Sequence, residues 1–300
     1  MKGYRLDSLA VLPAEGGLSL LRHWAVLTKL PIALASALTA LIGYRLAGSA
    51  WGGGCLALAG ATLLLAMGAA GLNEIQERAF DAQMERTRHR PLPCGRISLA
   101  GAWIGVGVLV AAGLGGLACF GLGPALAGLL TLVWYNGVYT PMKRRTPWAV
   151  LPGALVGAIP PFIGWMAAGR WPFEASVLAF GLLIFLWQVP HFWALVLMYR
   201  QDYARGGFPT LDQRLSGRGL ARLTFVWILL LASASAMIPV AGLVLSPMGL
   251  TLLGLANLIL LGGGRELFLD EPREGRAMFH AVNVYALMVA ALLLLEPWLR

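Results

Sequence analysis

The chain has 300 residues, 58% of them hydrophobic and only 12% charged, with a mean hydropathy of +0.73. This composition excludes a soluble globular domain and describes a polytopic, all-helical membrane protein. The net charge of +9 falls mostly in short loops between apolar runs, so the high pI marks membrane topology and not nucleic-acid binding.

Residues 1–22 carry Lys2, Arg5, Asp7, Glu15 and Arg22 and read as an N-terminal cytoplasmic segment. They lack the compact apolar core of a cleavable signal peptide. Nine apolar stretches of about 20 residues follow. They are Trp24–Leu46, Trp51–Leu72, Ser98–Phe120, Gly123–Thr140, Trp148–Ala168, Phe173–Leu197, Leu220–Leu243, Pro247–Leu267 and Ala277–Leu295. Residues 23–300 therefore read as one intramembrane domain, a bundle of nine spans. Only Arg45, Arg170 and Arg300 of the 23 Lys and Arg fall on one side of this topology. Positive charge favours the cytoplasm, which places the N-terminus inside and the C-terminus outside. Lys29, in Thr28-Lys29-Leu30-Pro31, reads as a residue snorkelling to the interface. Cys55, Cys94 and Cys119 lack metal-ligand spacing and are odd in number, so they read as structural.

The most informative stretch runs from Asn73 to Pro93, where the second apolar run stops. Asn73, Glu77 and Asp81 are spaced i, i+4, i+8, which stacks three oxygen ligands along one face of a continuing helix. Such a column suits a hard cation such as Mg²⁺, which takes carboxylates, water and phosphate oxygens. Arg86, Arg88 and Arg90 follow, with planar forks that match phosphate. Acids followed at once by bases read as a diphosphate site; the bland alternative is a solvated loop of mixed charge.

Tyr139-Thr140-Pro141-Met142-Lys143-Arg144-Arg145-Thr146 closes the fourth stretch, and three adjacent bases there signal topology at the least. Pro160 and Pro161 interrupt the fifth stretch, a break tolerated where backbone lines a cavity. In the sixth, His191, Leu195, Met198 and Asp202 follow i, i+4, i+7, i+11. On a straight helix His191 would lie on the order of 16 Å deeper than Asp202. An intramembrane histidine is a functional candidate, against the alternative of a hydrogen-bonded core residue. Arg265 to Arg276 reads as a solvated loop, and His280 and Asn283, near the start of the last span, read as core hydrogen-bonding groups, with substrate contact as the alternative.

Asn73-x3-Glu77-x3-Asp81-x2-Met84-x-Arg86-Thr87-x2-Arg90-Pro91 resembles the first signature of the UbiA-type intramembrane prenyltransferases. Its Met-x-Arg-Thr ending is similar to the haem O synthase (protohaem IX farnesyltransferase) branch. The Tyr-Thr-x2-Lys-Arg-x-Thr pattern, Gly-Ala-x-Pro-Pro-x-x-Gly-Trp from Gly157, Pro190-His191-Phe192, and Asp202-Tyr203-x3-Gly207-x-Pro209 resemble the same branch. Many UbiA-type enzymes carry a second Asp where this chain has Met198, a departure that favours the haem branch.

The resemblance implies helices around a central cavity and transfer of a farnesyl group from farnesyl diphosphate to a vinyl group of haem B. Addition of water would then give haem O for terminal oxidase assembly. The residues alone reach metal-dependent diphosphate chemistry at the inner face of a membrane pocket. The mechanism that fits is ionisation of the allylic diphosphate, with Mg²⁺ held by Asn73, Glu77, Asp81 and Asp202. Arg86, Arg90, Lys143 and Arg144 would bind the diphosphate and stabilise the departing charge. The catalytic set is then Asp81, Asp202 and His191, the last as iron ligand or as base for water. The expected partners are farnesyl diphosphate, haem B, the lipid bilayer and a haem A synthase or oxidase assembly factor. The alternatives are a quinone-precursor or aromatic acceptor and, more distantly, an anion transporter.

Overall fold

The structure is a computed structural model that describes residues 17–268 and 276–299. Most of the expected N-terminal segment, Asp270, Glu271, Arg273 and Glu274 of the Arg265–Arg276 loop, and Arg300 lie outside the described residues. No strand occurs among the described residues.

The first expected span is two helices, α1 (Gly17–Leu27) and α2 (Leu30–Leu46), bent by 62°. The break sits at Lys29, whose φ of 49° and ψ of 50° are left-handed. A side chain pays on the order of 1–2 kcal/mol for that conformation, and Lys29 is the single non-glycine residue among those described to adopt it. Pro31, early in α2, suits the fresh helix start that follows.

The second span, α3 (Gly53–Asp81), continues 9 residues past the expected membrane edge at Leu72, so Asn73, Glu77 and Asp81 do lie on one helix. It packs on α4 (Leu99–Ala118), which Ser98 caps through its hydroxyl. The expected fourth span is not a single α-helix. It consists of α5 (Leu122–Val133), a π-helical segment Trp134–Tyr139, and α6 (Thr140–Met142).

Pro160 and Pro161 divide the fifth span into α7 (Val150–Ala158) and α8 (Pro160–Ala167). α8 crosses α2 almost backbone to backbone: a Cβ on Gly164 would lie 1.8 Å from the Ala40 carbonyl oxygen. Only glycine permits that approach, which dispersion between helices rewards in lipid. The sixth span is α9 (Ala175–Met198), followed at Tyr199 by a break and the short α10 (Arg200–Arg205). α11 (Gly217–Ala234) leads through α12 (Met237–Val240) to α13 (Pro247–Gly264) and α14 (Arg276–Leu299).

Seven described stretches are long and apolar enough to cross a membrane, or eight with the α1–α2 pair taken as one bent span. The expected count of nine is not confirmed by length and composition, because the fourth stretch, helical throughout 122–142, contains no single α-helix of spanning length. The largest apolar core joins α9, α11, α13 and α14 around Phe180, Leu183, Ile228, Leu231 and Tyr285. The connections at 82–98, 143–149 and 199–216 hold most of the described bases, and the charged end of α3 lies among them.

Candidate active site

Asn73, Glu77 and Asp81 are almost completely buried, as is Glu74 between them. Three buried carboxylates in an apolar bundle need compensation, because an unpaired charge there costs several kcal/mol. Three cations supply it, each from a different part of the chain. Lys29 Nζ donates to Asn73 Oδ1 at 2.7 Å and approaches Glu74 Oε1 at 3.1 Å. Arg90 Nη1 lies 2.6 Å from Glu74 Oε1 and 2.9 Å from Asp81 Oδ2. Lys143 Nζ donates to Glu77 Oε2 at 2.5 Å. Burial works against the Arg90 charge, but Glu74 and Asp81 outweigh it and raise the pKa above its ordinary value. The cluster is a closed set of charges.

The Lys29 result corrects its reading as an interfacial snorkel. The left-handed turn at the α1–α2 break sends its side chain inward to α3. Glu74 lies next to Asn73 and outside the i, i+4, i+8 column, so that spacing does not select it. Yet Glu74, Glu77 and Asp81, at i, i+3, i+7, form an equally good helical stripe.

The π-helical segment completes this wall. Asn73 Nδ2 donates to Thr140 Oγ1 at 3.0 Å, and Gln76 Nε2 donates to the Asn136 carbonyl at 3.2 Å. The π-helical segment Trp134–Tyr139 thus presents a carbonyl to α3, and Thr140 directly after it a hydroxyl, and such segments recur at functional sites.

The other expected residues divide. Asp202 is not on one helical face with His191, because α9 ends at Met198 and the backbone at Tyr199 (φ −118°, ψ 25°) leaves the helix. The turn instead brings Asp202 to the loop after α3, where its Oδ2 accepts from the Arg86 backbone N–H at 3.1 Å. The Arg86 guanidinium sits over the Tyr199 ring, 5.0 Å from its centroid. Arg144 donates to the Gln76 carbonyl at 2.8 Å and covers the Phe80 ring at 4.3 Å, so it is docked on α3 and makes none of the cluster's ion pairs.

His191 lies apart, in an aromatic compartment between α9 and α14. Its ring is 5.0 Å from Trp187 and 5.1 Å from Phe279, with Phe192 edge-on at 5.7 Å. Its Nδ1 is 3.0 Å from Asn283 Oδ1. Asn283 does form a hydrogen bond within the bundle, as expected, but its partner is the candidate histidine.

Among the described residues no three His, Cys, Asp or Glu side chains converge into a ready metal site. The donor chemistry nevertheless fits a hard cation. Glu77 Oε1 and Glu74 Oε2 are buried oxygens without hydrogen-bond partners, which is costly unless something else takes them up.

This arrangement, acids and bases at one end of an apolar helical bundle, can be set against known proteins. The profile of the UbiA prenyltransferase family matches residues 33–294. The chain belongs to the UbiA prenyltransferase family. Within it, the chain is 37% identical to the protoheme IX farnesyltransferase of Geobacter sulfurreducens, over 92% of this chain and 99% of that one. It is 35% identical to the protein of the same name from Oleidesulfovibrio alaskensis, over 92% and 97% of the two chains. Solved UbiA-fold structures agree in shape. A digeranylgeranylglyceryl phosphate synthase superposes with a TM-score of 0.76 at 12% identity, covering 93% of this chain and 98% of that one. A UbiA homolog from Archaeoglobus fulgidus bound to GPP and Mg²⁺ gives 0.60 at 15% identity, covering 90% and 99%. At such identities these structures establish the UbiA fold and nothing finer.

Proposed function

We propose that this membrane enzyme transfers the farnesyl group of farnesyl diphosphate to a vinyl group of haem B and, with addition of water, makes haem O. The observation that carries the reading is the similarity to protoheme IX farnesyltransferases over nearly the whole of both chains. The charged end of α3 and the separate aromatic compartment around His191 support it, since the two reactants differ so strongly in polarity.

In this reading Asn73, Glu77, Asp81 and Asp202 would hold Mg²⁺, in keeping with the Mg²⁺ and GPP bound by the Archaeoglobus homolog. When bound, the ion neutralises charge that builds up on the departing diphosphate. Lys29, Arg90 and Lys143 give up their carboxylates and turn to phosphate oxygens, while Arg86 approaches from the loop after α3. The allylic C–O bond breaks with its electrons going to the diphosphate. The vinyl π electrons then form the new C–C bond, and water adds to the cation left on the porphyrin substituent and loses a proton. His191 serves the haem side, as iron ligand or as acceptor of that proton. Arg144 acts from its dock beside the site. The membrane is then a bacterial cytoplasmic membrane, and the distribution of Lys and Arg supports an orientation with the diphosphate end inside, the N-terminus inside and the C-terminus outside. Haem O would pass to a haem A synthase or an oxidase assembly factor.

The test is incubation of membranes containing the protein with haem B, farnesyl diphosphate and Mg²⁺, followed by mass analysis. Haem gaining one farnesyl group and one hydroxyl is the expected product. Unaltered haem beside a prenylated quinone precursor or aromatic acid would replace this reading with another acceptor.

A further inference from the structure

Asn283 makes two hydrogen bonds, and the second decides the first. Its side-chain nitrogen lies 2.7 Å from the Phe279 carbonyl oxygen, one turn back in α14. A backbone carbonyl can only accept, so the atom facing it must be the amide nitrogen Nδ2. The amide oxygen therefore faces His191, 3.0 Å from Nδ1. An amide oxygen can only accept as well, so Nδ1 must carry a proton. In the neutral ring Nε2, across the imidazole from Asn283, is then left with a bare lone pair.

The surrounding contacts hold the ring in that orientation. Trp187 and Phe279 bracket it, and the Trp187 indole is itself fixed by donation to the Val282 carbonyl at 2.9 Å. Asn283 and its acceptor Phe279 lie on α14, and the asparagine is 92 residues from the histidine for which it is placed.

We infer that Asn283 is a positioning residue: it fixes His191 as the Nδ1–H tautomer and so presents an unprotonated Nε2 to the acceptor substrate. This rests on the farnesyl-transfer reading for its catalytic meaning. It also narrows the chemistry, because a ring held this way can ligate iron or accept a proton through Nε2 but cannot donate a hydrogen bond from that atom. Second-sphere partners of this kind typically alter metal affinity or activity by about 10–100-fold when removed.

The experiment uses the full-length protein in lipid nanodiscs with ¹⁵N-labelled histidine. The chain has four histidines, and His191→Gln identifies the relevant signal. Wild type should show a protonated Nδ1 and an unprotonated Nε2. Asn283→Leu should lose this preference and make haem O ~10–100-fold more slowly, with KM for farnesyl diphosphate unchanged. Asn283→Asp, which keeps an acceptor, should keep the Nδ1 proton. A protonated Nε2 in the wild type would overturn the assignment, and so would an Asn283→Leu protein with wild-type tautomer and turnover. The expected tautomer in a wild type that makes no haem O would overturn the farnesyl-transfer reading and the catalytic part of this assignment with it. A wrong tautomer with normal haem O synthesis would overturn the Asn283 assignment alone.

Discussion

Two sets of buried carboxylates in this bundle have been accommodated in opposite ways. Glu296, near the end of α14, accepts from the Leu245 and Ser246 backbone N–H groups, both at 2.8 Å, and from the Ser246 hydroxyl at 2.8 Å. It ties α14 to the start of α13, where a helix end offers N–H groups without intrahelical partners and a favourable dipole. Glu74, Glu77 and Asp81 receive flexible cations in place of fixed dipoles, and two of their oxygens have no hydrogen-bond partner. Fixed dipoles cannot be exchanged for a ligand; lysine and arginine side chains can. The difference separates a carboxylate that holds helices together from carboxylates that, in the proposed reading, are kept ready for a metal and a diphosphate.

Several substitutions would break or sharpen that contrast. Asp81→Asn should have the largest effect on catalysis, a loss of ~100-fold or more in turnover, since a metal-bound carboxylate is asked to supply several kcal/mol. Steady-state rates at low Mg²⁺ check this, and wild-type turnover would remove Asp81 from the site. Its folded fraction should stay close to wild type. Glu296→Ala should do the reverse. It strands buried donors that each cost ~1–3 kcal/mol, so thermal unfolding in detergent should occur several degrees lower. Activity per folded molecule should persist; selective loss of turnover there would dissolve the contrast.

Glu77→Asp retains the charge with a shorter arm and should keep much of the activity, with a modest rise in the Mg²⁺ needed for half-maximal rate. A titration of rate against Mg²⁺ reads this directly. Arg86→Lys should raise the KM for farnesyl diphosphate a few-fold, because a point charge replaces a bidentate fork. Arg276→Lys, at the exposed start of α14, should leave the kinetics unchanged. Equal effects at the two arginines would mean that the charged end of α3 does not select among the bases.

Helical spacing and charge order are local properties, and on those the sequence was decisive. Membrane class, most of the spans, the oxygen column from Asn73 to Asp81 and the basic groups after it are all legible within windows of about 20 residues. The π-helical segment and the break at Tyr199 were not, because each is a choice between nearly equal backbone hydrogen-bond patterns that tertiary packing decides. Side-chain pairing between distant segments was also beyond local reach. Lys29 meets Asn73 across 44 residues, Lys143 meets Glu77 across 66 and His191 meets Asn283 across 92. A lysine bound for the membrane interface and one turned into a buried cluster have the same composition around them. A single left-handed residue at a helix break sets the direction, and in a medium of low dielectric the buried acids on α3 make the inward course the favourable one.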